Sequence, residues 1–181
     1  MPDWQEILAR DGPGAWRAAY RITGNSADAD ECLQEAFLAA LEQVRPESVR
    51  HWGAFLRCLA AARAVDRLRE RRRDPRGEII DWEAIRGPDA PPARALEEIE
   101  LAAGLRDALA RISPKQAEVF CLHILEGFSY EEIACQLAVS VNAVGVHLHR
   151  ARKQLRELLA GTLDAPHAAK HDARGPTKEV P

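Results

Sequence analysis

Three helix starts follow one another in residues 113–160, which read SPKQAEVFCLHILEGFSYEEIACQLAVSVNAVGVHLHRARKQLRELLA. The hydroxyl of Ser113 can cap the first helix, and Pro114 suits the first helical position. Gln116, three residues after Ser113, can return a hydrogen bond. Ser129 opens a short second helix with a capping-box pattern, and Ser140 can cap a third helix. Two capped helices separated by a tight turn indicate a helix-turn-helix.

The third of these helices has two different faces. Its apolar residues recur at spacings of four, three, four and three, which predicts one buried stripe. They are Val144, Leu148, Ala151, Leu155 and Leu158. A polar, basic arc suits the major groove of DNA, since base edges offer hydrogen-bond partners and phosphates attract cations. We predict that this arc contacts DNA through Asn142, His147, His149, Arg150 and Lys153.

A long helix is also predicted over residues 52–73, which read WGAFLRCLAAARAVDRLRERRR. One apolar stripe is predicted to face a core, and it contains Phe55, Leu59, Ala62, Val65 and Leu68. Arginines crowd the other face. A single cluster of this kind is equally well explained as a solvated helix face, but a second basic cluster within a helix-turn-helix favours nucleic acid. The predicted contacts are Arg63, Arg67, Arg69, Arg71 and Arg72.

The chain as a whole is predicted to be all-α, with two small helical domains. Residues 1–73 form the first domain, and residues 96–160 form the second, which contains the helix-turn-helix. Prolines and glycines interrupt residues 74–95, and residues 74–100 contain eight acidic residues against three basic ones. We therefore expect a flexible acidic linker between the domains. Residues 161–181 are small, polar and rich in proline, which predicts a disordered tail.

The sequence also argues against several classes of protein. No stretch approaches the roughly 18 apolar residues of a membrane helix, and the first residues lack a basic and then apolar pattern, so we expect a cytoplasmic protein without membrane insertion. The four cysteines stand far apart and are expected to be buried, reduced thiols. His147 and His149 point about 200° apart on a helix, and nothing completes a metal site. We expect no catalytic residues, no enzyme activity, no cofactor and no metal.

Three segments resemble the extracytoplasmic-function (ECF) sigma factors of bacteria, in the family's order. Residues 19–41, AYRITGNSADADECLQEAFLAAL, look like the second conserved region. Residues 55–73, FLRCLAAARAVDRLRERRR, look like the adjoining segment that melts and captures the minus-ten promoter element. Residues 105–159, which include the helix-turn-helix, resemble the fourth region, whose last helix reads the minus-thirty-five element.

The resemblance assigns a role to a helix predicted to begin at its cap Ser26 and to run to about Val44. In the family this helix docks on the clamp helices of the polymerase's largest subunit. The corresponding residues here are Asp30, Glu31, Gln34, Glu35 and Phe37. The resemblance thus implies core RNA polymerase, promoter DNA and an anti-sigma factor as partners, and a chain that makes and breaks no bond.

Several positions depart from the family's pattern. Ala62 stands where an asparagine is common, four residues before Asp66. In the last helix, the family often has threonine, a basic residue, serine and arginine where this chain has Ala143, Gly145, Val146 and His147. Two other hypotheses therefore remain open. The chain could be a dimeric helix-turn-helix regulator, for which the N-terminal helices have no role, or a sigma-like decoy that acts by binding other proteins.

Overall fold

The computed structural model of the protein describes residues 3–43, 49–74 and 93–163, where every regular element is a helix. The seven helices are α1 (Trp4–Thr23), α2 (Ser26–Gln43), α3 (Trp52–Arg73), α4 (Ala93–Arg111), α5 (Pro114–Phe120, continued by a π-helical turn over Cys121–Leu125), α6 (Tyr130–Leu137) and α7 (Val141–Leu163). The all-α prediction is confirmed. None of the described helices is long and apolar enough to cross a bilayer.

Two helices extend beyond the boundaries predicted for the linker and the tail. Helix α4 begins at Ala93, within the predicted linker, and α7 continues to Leu163, past the predicted start of the tail. The rest of these two segments, residues 75–92 and 164–181, lies outside the described residues.

Helix α3 lies at the centre of the fold and packs against α1, α2, α4 and α5. Four of its residues outside the predicted apolar stripe are completely buried, namely Leu56, Ala60, Ala61 and Ala64. The prediction of a single stripe is therefore wrong, because a helix with neighbours on several sides is buried around most of its circumference. Its small alanine side chains also let the neighbouring helices approach closely.

The turn between α1 and α2 differs from the prediction in its capping residue. Gly24 ends α1 with a φ of +70°, a conformation that glycine adopts without a steric penalty. Asn25 then caps α2, because its Oδ1 accepts a hydrogen bond from the backbone amide of Asp28 at 3.0 Å. Ser26 is already the first helical residue, so its predicted role as the cap is wrong.

The predicted caps of the helix-turn-helix are confirmed. Ser129 Oγ accepts from the amide of Glu132 at 3.1 Å, and Glu132 Oε2 accepts from the amide of Ser129 at 2.8 Å, which completes the capping box. Hydrogen bonds that Ser129 donates to the Glu132 carboxylate, first of all from its backbone amide, lower the pKa of that carboxyl. Ser140 Oγ accepts from the amide of Ala143 at 3.1 Å at the start of α7.

The cap of α5 is confirmed only in part. Ser113 Oγ accepts from the backbone amide of Gln116 at 3.4 Å, next to Pro114 at the first helical position. The side chain of Gln116 does not return the predicted hydrogen bond. It is buried, and its Oε1 has no hydrogen-bond partner among the described residues.

The prediction of four buried cysteines is correct for three of them. Cys32, Cys58 and Cys121 are buried, and desolvation raises the pKa of these thiols to about 11, about 12 and about 12. Such thiols are poor nucleophiles because the thiolate is the reactive form. Cys135 is exposed on α6, so the prediction is wrong at this position. A short amphipathic helix of eight residues can bury only one side.

Candidate nucleic-acid interface

Helix α7 presents most of its predicted polar arc to solvent. Its apolar stripe is at most 3% exposed at Val144, Leu148, Ala151 and Leu155. The turn before α7 is held by Ala138 in the left-handed conformation and by a 3.1 Å hydrogen bond from the amide of Val139 to the carbonyl of Ala134. Four of the five predicted contact residues are exposed, namely Asn142, His149, Arg150 and Lys153.

His147, the fifth predicted residue, is only half exposed. It lies three residues after Val144 and four before Ala151, so it stands at the edge of the buried stripe. Its Nδ1 is buried and has no hydrogen-bond partner among the described residues. The prediction that the whole ring lies on the exposed arc is therefore wrong, and only its outer edge can meet another molecule.

Val146 is an exposed residue that the sequence reasoning left out of the site. It follows Asn142 by four residues and precedes Lys153 by seven, so all three lie along one line at the centre of the exposed arc. This spacing could have identified Val146. A methyl-bearing side chain at this place can contact the methyl group of thymine.

The arginines of α3 face the acidic side chains of α2. Arg67 Nη2 lies 2.7 Å from Glu31 Oε2 and 3.1 Å from Glu35 Oε1. Arg71 Nη2 lies 2.6 Å from Asp28 Oδ2, and Arg63 Nε lies 3.8 Å from Glu35 Oε2. The basic face predicted for nucleic acid thus forms one ladder of ion pairs with Asp28 and with Glu31 and Glu35, two of the residues predicted for polymerase. The sequence did not reveal this pairing because the partners lie 28 or more residues apart along the chain.

Two other arginines of α3 contact the C-terminal half of the chain. Arg69 Nη1 donates to the carbonyl oxygen of Ile112 at 2.7 Å, just beyond the end of α4. Arg72 Nε donates to Asp107 Oδ1 at 3.2 Å. Both arginines were predicted to bind DNA, and in this arrangement their donors are turned toward α4.

The outer face of α2 combines acidic, amide and apolar side chains. Glu31, Gln34 and Leu38 are exposed at spacings of three and four, and Leu41 continues the same face. Leu38 is 55% exposed, which is high for a leucine in a folded chain. The sequence reasoning missed Leu38, although its spacing of four from Gln34 places the two residues on one face.

Two of the residues assigned to the polymerase surface also stabilise the packing of α2 against α1. Phe37 is half-buried and packs edge-on against Trp4, with ring centroids 5.9 Å apart. Asp30 Oδ1 accepts a hydrogen bond from Trp16 Nε1 at 2.7 Å, which ties α1 to α2. Of the five assigned residues, Gln34 is thus the clearest free surface group.

Within the described parts of the chain, no three histidine, cysteine, aspartate or glutamate side chains come together as a metal site would require. The exposed surfaces of α2 and α7 carry amide, imidazole, guanidinium and carboxylate groups. Such surfaces are suited to binding macromolecules.

Both halves of the chain match models of known families. Residues 7–74 match the family described as Sigma-70 region 2, and residues 103–155 match Sigma-70, region 4. A solved structure of CnrH in complex with the cytosolic domain of CnrY aligns with a TM-score of 0.53 and 25% identity. The alignment covers 87% of this chain and 88% of that one.

Several curated proteins are similar over most of this chain. An ECF RNA polymerase sigma factor, SigE of Mycolicibacterium smegmatis, is 32% identical over 88% of this chain, which spans 63% of that protein. RNA polymerase sigma factor CarQ of Myxococcus xanthus is 32% identical, with 86% of this chain and 88% of that protein covered. The RNA polymerase sigma-E factor of Streptomyces coelicolor is 33% identical, with 90% of each covered. With both sigma-70 regions present in this order, the chain belongs to the ECF family of RNA polymerase sigma factors.

Proposed function

We propose that this chain binds core RNA polymerase and directs promoter recognition and DNA melting, without catalytic activity of its own. The observation that carries the proposal is the presence, in one chain, of an acidic and apolar face on α2 and a polar, basic face on α7. A helix-turn-helix regulator needs only the second of these faces. The presence of the first favours a protein that bridges polymerase and promoter.

The polymerase surface in this proposal is the outer face of α2. Gln34 and Leu38 are its central contacts, with Glu31 and Glu35 beside them. Exposed apolar and amide groups ringed by charge are typical of a protein–protein interface. Asp30 and Phe37 act by holding α2 against α1.

DNA is contacted in two places in this proposal. Helix α7 enters the major groove of the minus-thirty-five element, with Asn142 and Val146 toward the bases and with Arg150 and Lys153 toward phosphates. The outer edge of His147 and the exposed His149 flank these contacts. The arginine face of α3 lies beside the separated strands of the minus-ten element.

A protein inhibitor is a further proposed partner. The structure of CnrH was solved with the cytosolic domain of CnrY, and CnrH aligns with most of this chain. By this likeness we expect an anti-sigma factor to bind here as well, in competition with polymerase.

Run-off transcription by core polymerase tests the proposal. With this chain added, core enzyme is expected to initiate at discrete sites within a library of genomic promoter fragments. Co-purification with core enzyme but no initiation would support the decoy hypothesis. Site-specific DNA binding with no affinity for core enzyme would support a regulator instead. Either outcome would contradict the proposed function.

The arginine face of α3 leads to a prediction for single-stranded DNA. Changing both Arg67→Ala and Arg71→Ala is expected to weaken binding of minus-ten single-stranded DNA by the holoenzyme. The slope of log affinity against log salt should fall by up to about 1.4, since each lost phosphate contact on a single strand removes about 0.7. Fluorescence anisotropy at several salt concentrations measures both quantities.

The matched control removes two exposed arginines from α1, as Arg10→Ala with Arg17→Ala. This variant has the same net charge but should keep the wild-type slope. If the slope of log affinity against log salt falls equally in both double variants, the effect is one of net charge. The proposed phosphate contacts of Arg67 and Arg71 are then excluded.

A further inference from the structure

The two halves of the chain lie directly against one another through buried apolar packing and a set of polar contacts. At one end Arg69 and Arg72 of α3 reach α4, as described above. On the α1 side Arg106 of α4 donates to the carbonyl oxygen of Ile22 at 3.2 Å. At the other end the loop after α5 meets both α1 and α3. The buried apolar residues of both halves form one continuous cluster.

Glu126, in the loop after α5, is the most enclosed charge in this interface. Its side chain is 1% exposed. Oε1 accepts from Arg21 Nη1 of α1 at 2.8 Å, and Oε2 lies 3.8 Å from Arg57 Nη1 of α3. A buried carboxylate held by two guanidinium groups depends on both for its stability, because an unpaired buried charge is strongly unfavourable.

The loop that carries Glu126 is held in place by its own half of the chain. The amide of Glu126 donates to the carbonyl of Cys121 at 3.1 Å, and the amide of Phe128 donates to Leu122 at 3.0 Å. His123 Nδ1 donates to the carbonyl oxygen of Phe128 at 2.8 Å. Phe128 is buried, and the Arg57 guanidinium lies over its ring at 4.5 Å. The loop therefore presents a carboxylate and an aromatic ring in a fixed geometry.

This closed arrangement is incompatible with simultaneous contact at two promoter elements. The minus-ten and minus-thirty-five elements lie about 25 base pairs apart, or about 85 Å along the helix axis at about 3.4 Å per base pair. The two halves share one apolar core, and a compact chain of this size has a radius of gyration of about 16 Å, far too small to span that separation. The halves must separate before the chain can hold both elements, a step that rests on the proposed function.

We infer that Glu126, Arg21 and Arg57 form a latch that keeps the free protein closed. The latch joins the helix-turn-helix half to α1 and α3 and lowers the fraction of molecules able to span a promoter. Its strength sets the apparent affinity for a two-element promoter, because that affinity is reduced by the fraction of molecules in the competent state.

Energy transfer between two dyes on the full-length free protein tests the latch. One dye is attached to the exposed Cys135 and the other to a cysteine introduced as Gln5→Cys, an exposed position on α1. The other three cysteines are buried with raised thiol pKa values, so they should react slowly. The wild-type latch should give a mainly closed population with high transfer efficiency.

Glu126→Gln and Arg21→Ala are each expected to raise the ratio of open to closed molecules at least about tenfold. Arg21 is 52% exposed, so its replacement should leave the fold intact. The double variant should open no further than the more open single variant, because both changes break one interaction. Glu131→Gln removes an exposed charge from the same half and should leave the ratio unchanged.

A wild-type protein that is mainly open, or a ratio that stays within twofold in both single variants, would overturn the latch. Circular dichroism on each variant ensures that only folded protein is compared. The assay contains neither polymerase nor DNA. Failure of the latch is therefore distinguishable from failure of the proposed function, which is measured by run-off transcription.

Discussion

Leu38→Asp is expected to weaken binding of this protein to core RNA polymerase by at least about thirtyfold, the equivalent of a hot-spot loss of about 2 kcal/mol. Leu38 is 55% exposed on α2, beside the exposed Gln34. In a complex its side chain would be desolvated, and an aspartate there would bury an unpaired charge. Gln34→Ala should have a smaller effect in the same direction. Titration of fluorescent protein with core enzyme measures both.

The matched control is Leu101→Asp, because Leu101 is 58% exposed and lies on a different helix, α4. Thermal melting of the two variants should be alike, since neither leucine is buried. Phe37→Ala is unsuited to this test because Phe37 packs against Trp4, so a loss of binding could follow from a disturbed fold. Equal losses for Leu38→Asp and Leu101→Asp would contradict the proposed surface.

Features of the fold that depend on short stretches of sequence were predictable. The start of α3 at Trp52 and its end at Arg73 agree with the structure. The caps Ser129 and Ser140 were also correct, because a cap needs only a side-chain oxygen two or three residues before a free amide. The buried stripe of α7 was predictable from the spacing of its apolar residues, since α7 packs against the rest of the protein along one side.

Features that depend on contacts between distant residues could not be predicted in this way. The cap of α2 is a local exception, since Asn25 and Ser26 are both good capping residues and the turn at Gly24 favours Asn25. The burial around α3 depends on how many helices pack against it. Gln116 was expected to return a hydrogen bond at the helix start, but its side chain is buried instead.

The sequence predicted which residue types form the candidate site, but it did not predict which of their charged groups are free to contact a partner. Arg67 was identified as part of a basic face, but its guanidinium is occupied by Glu31 and Glu35. This pairing has a consequence for the mechanism. If polymerase draws the carboxylates of α2 to itself, the arginines of α3 lose their partners and become available to phosphate. The two proposed interfaces thus share the same charges.

Substitutions on α7 are expected to separate sequence reading from general affinity for DNA. Asn142→Ala and Val146→Ala should relax base preference at individual positions of the minus-thirty-five element, by about 1 to 3 kcal/mol for a good contact. Both residues lie in the first turns of α7, which in a helix-turn-helix approach the base edges. Arg150→Ala and Lys153→Ala should lower affinity about equally for all sequences. Each should reduce the salt slope by about one.

The matched control for the phosphate contacts is Arg152→Ala. Arg152 is exposed and precedes Lys153 by one residue, so it points about 100° away around the helix. Loss of its charge should change the salt slope less than the loss at Lys153. Holoenzyme binding to a library of minus-thirty-five variants at two salt concentrations measures preference and slope together. If base preference survives both Asn142→Ala and Val146→Ala, the N-terminal turns of α7 do not read the bases, and the docking geometry proposed for this helix is wrong.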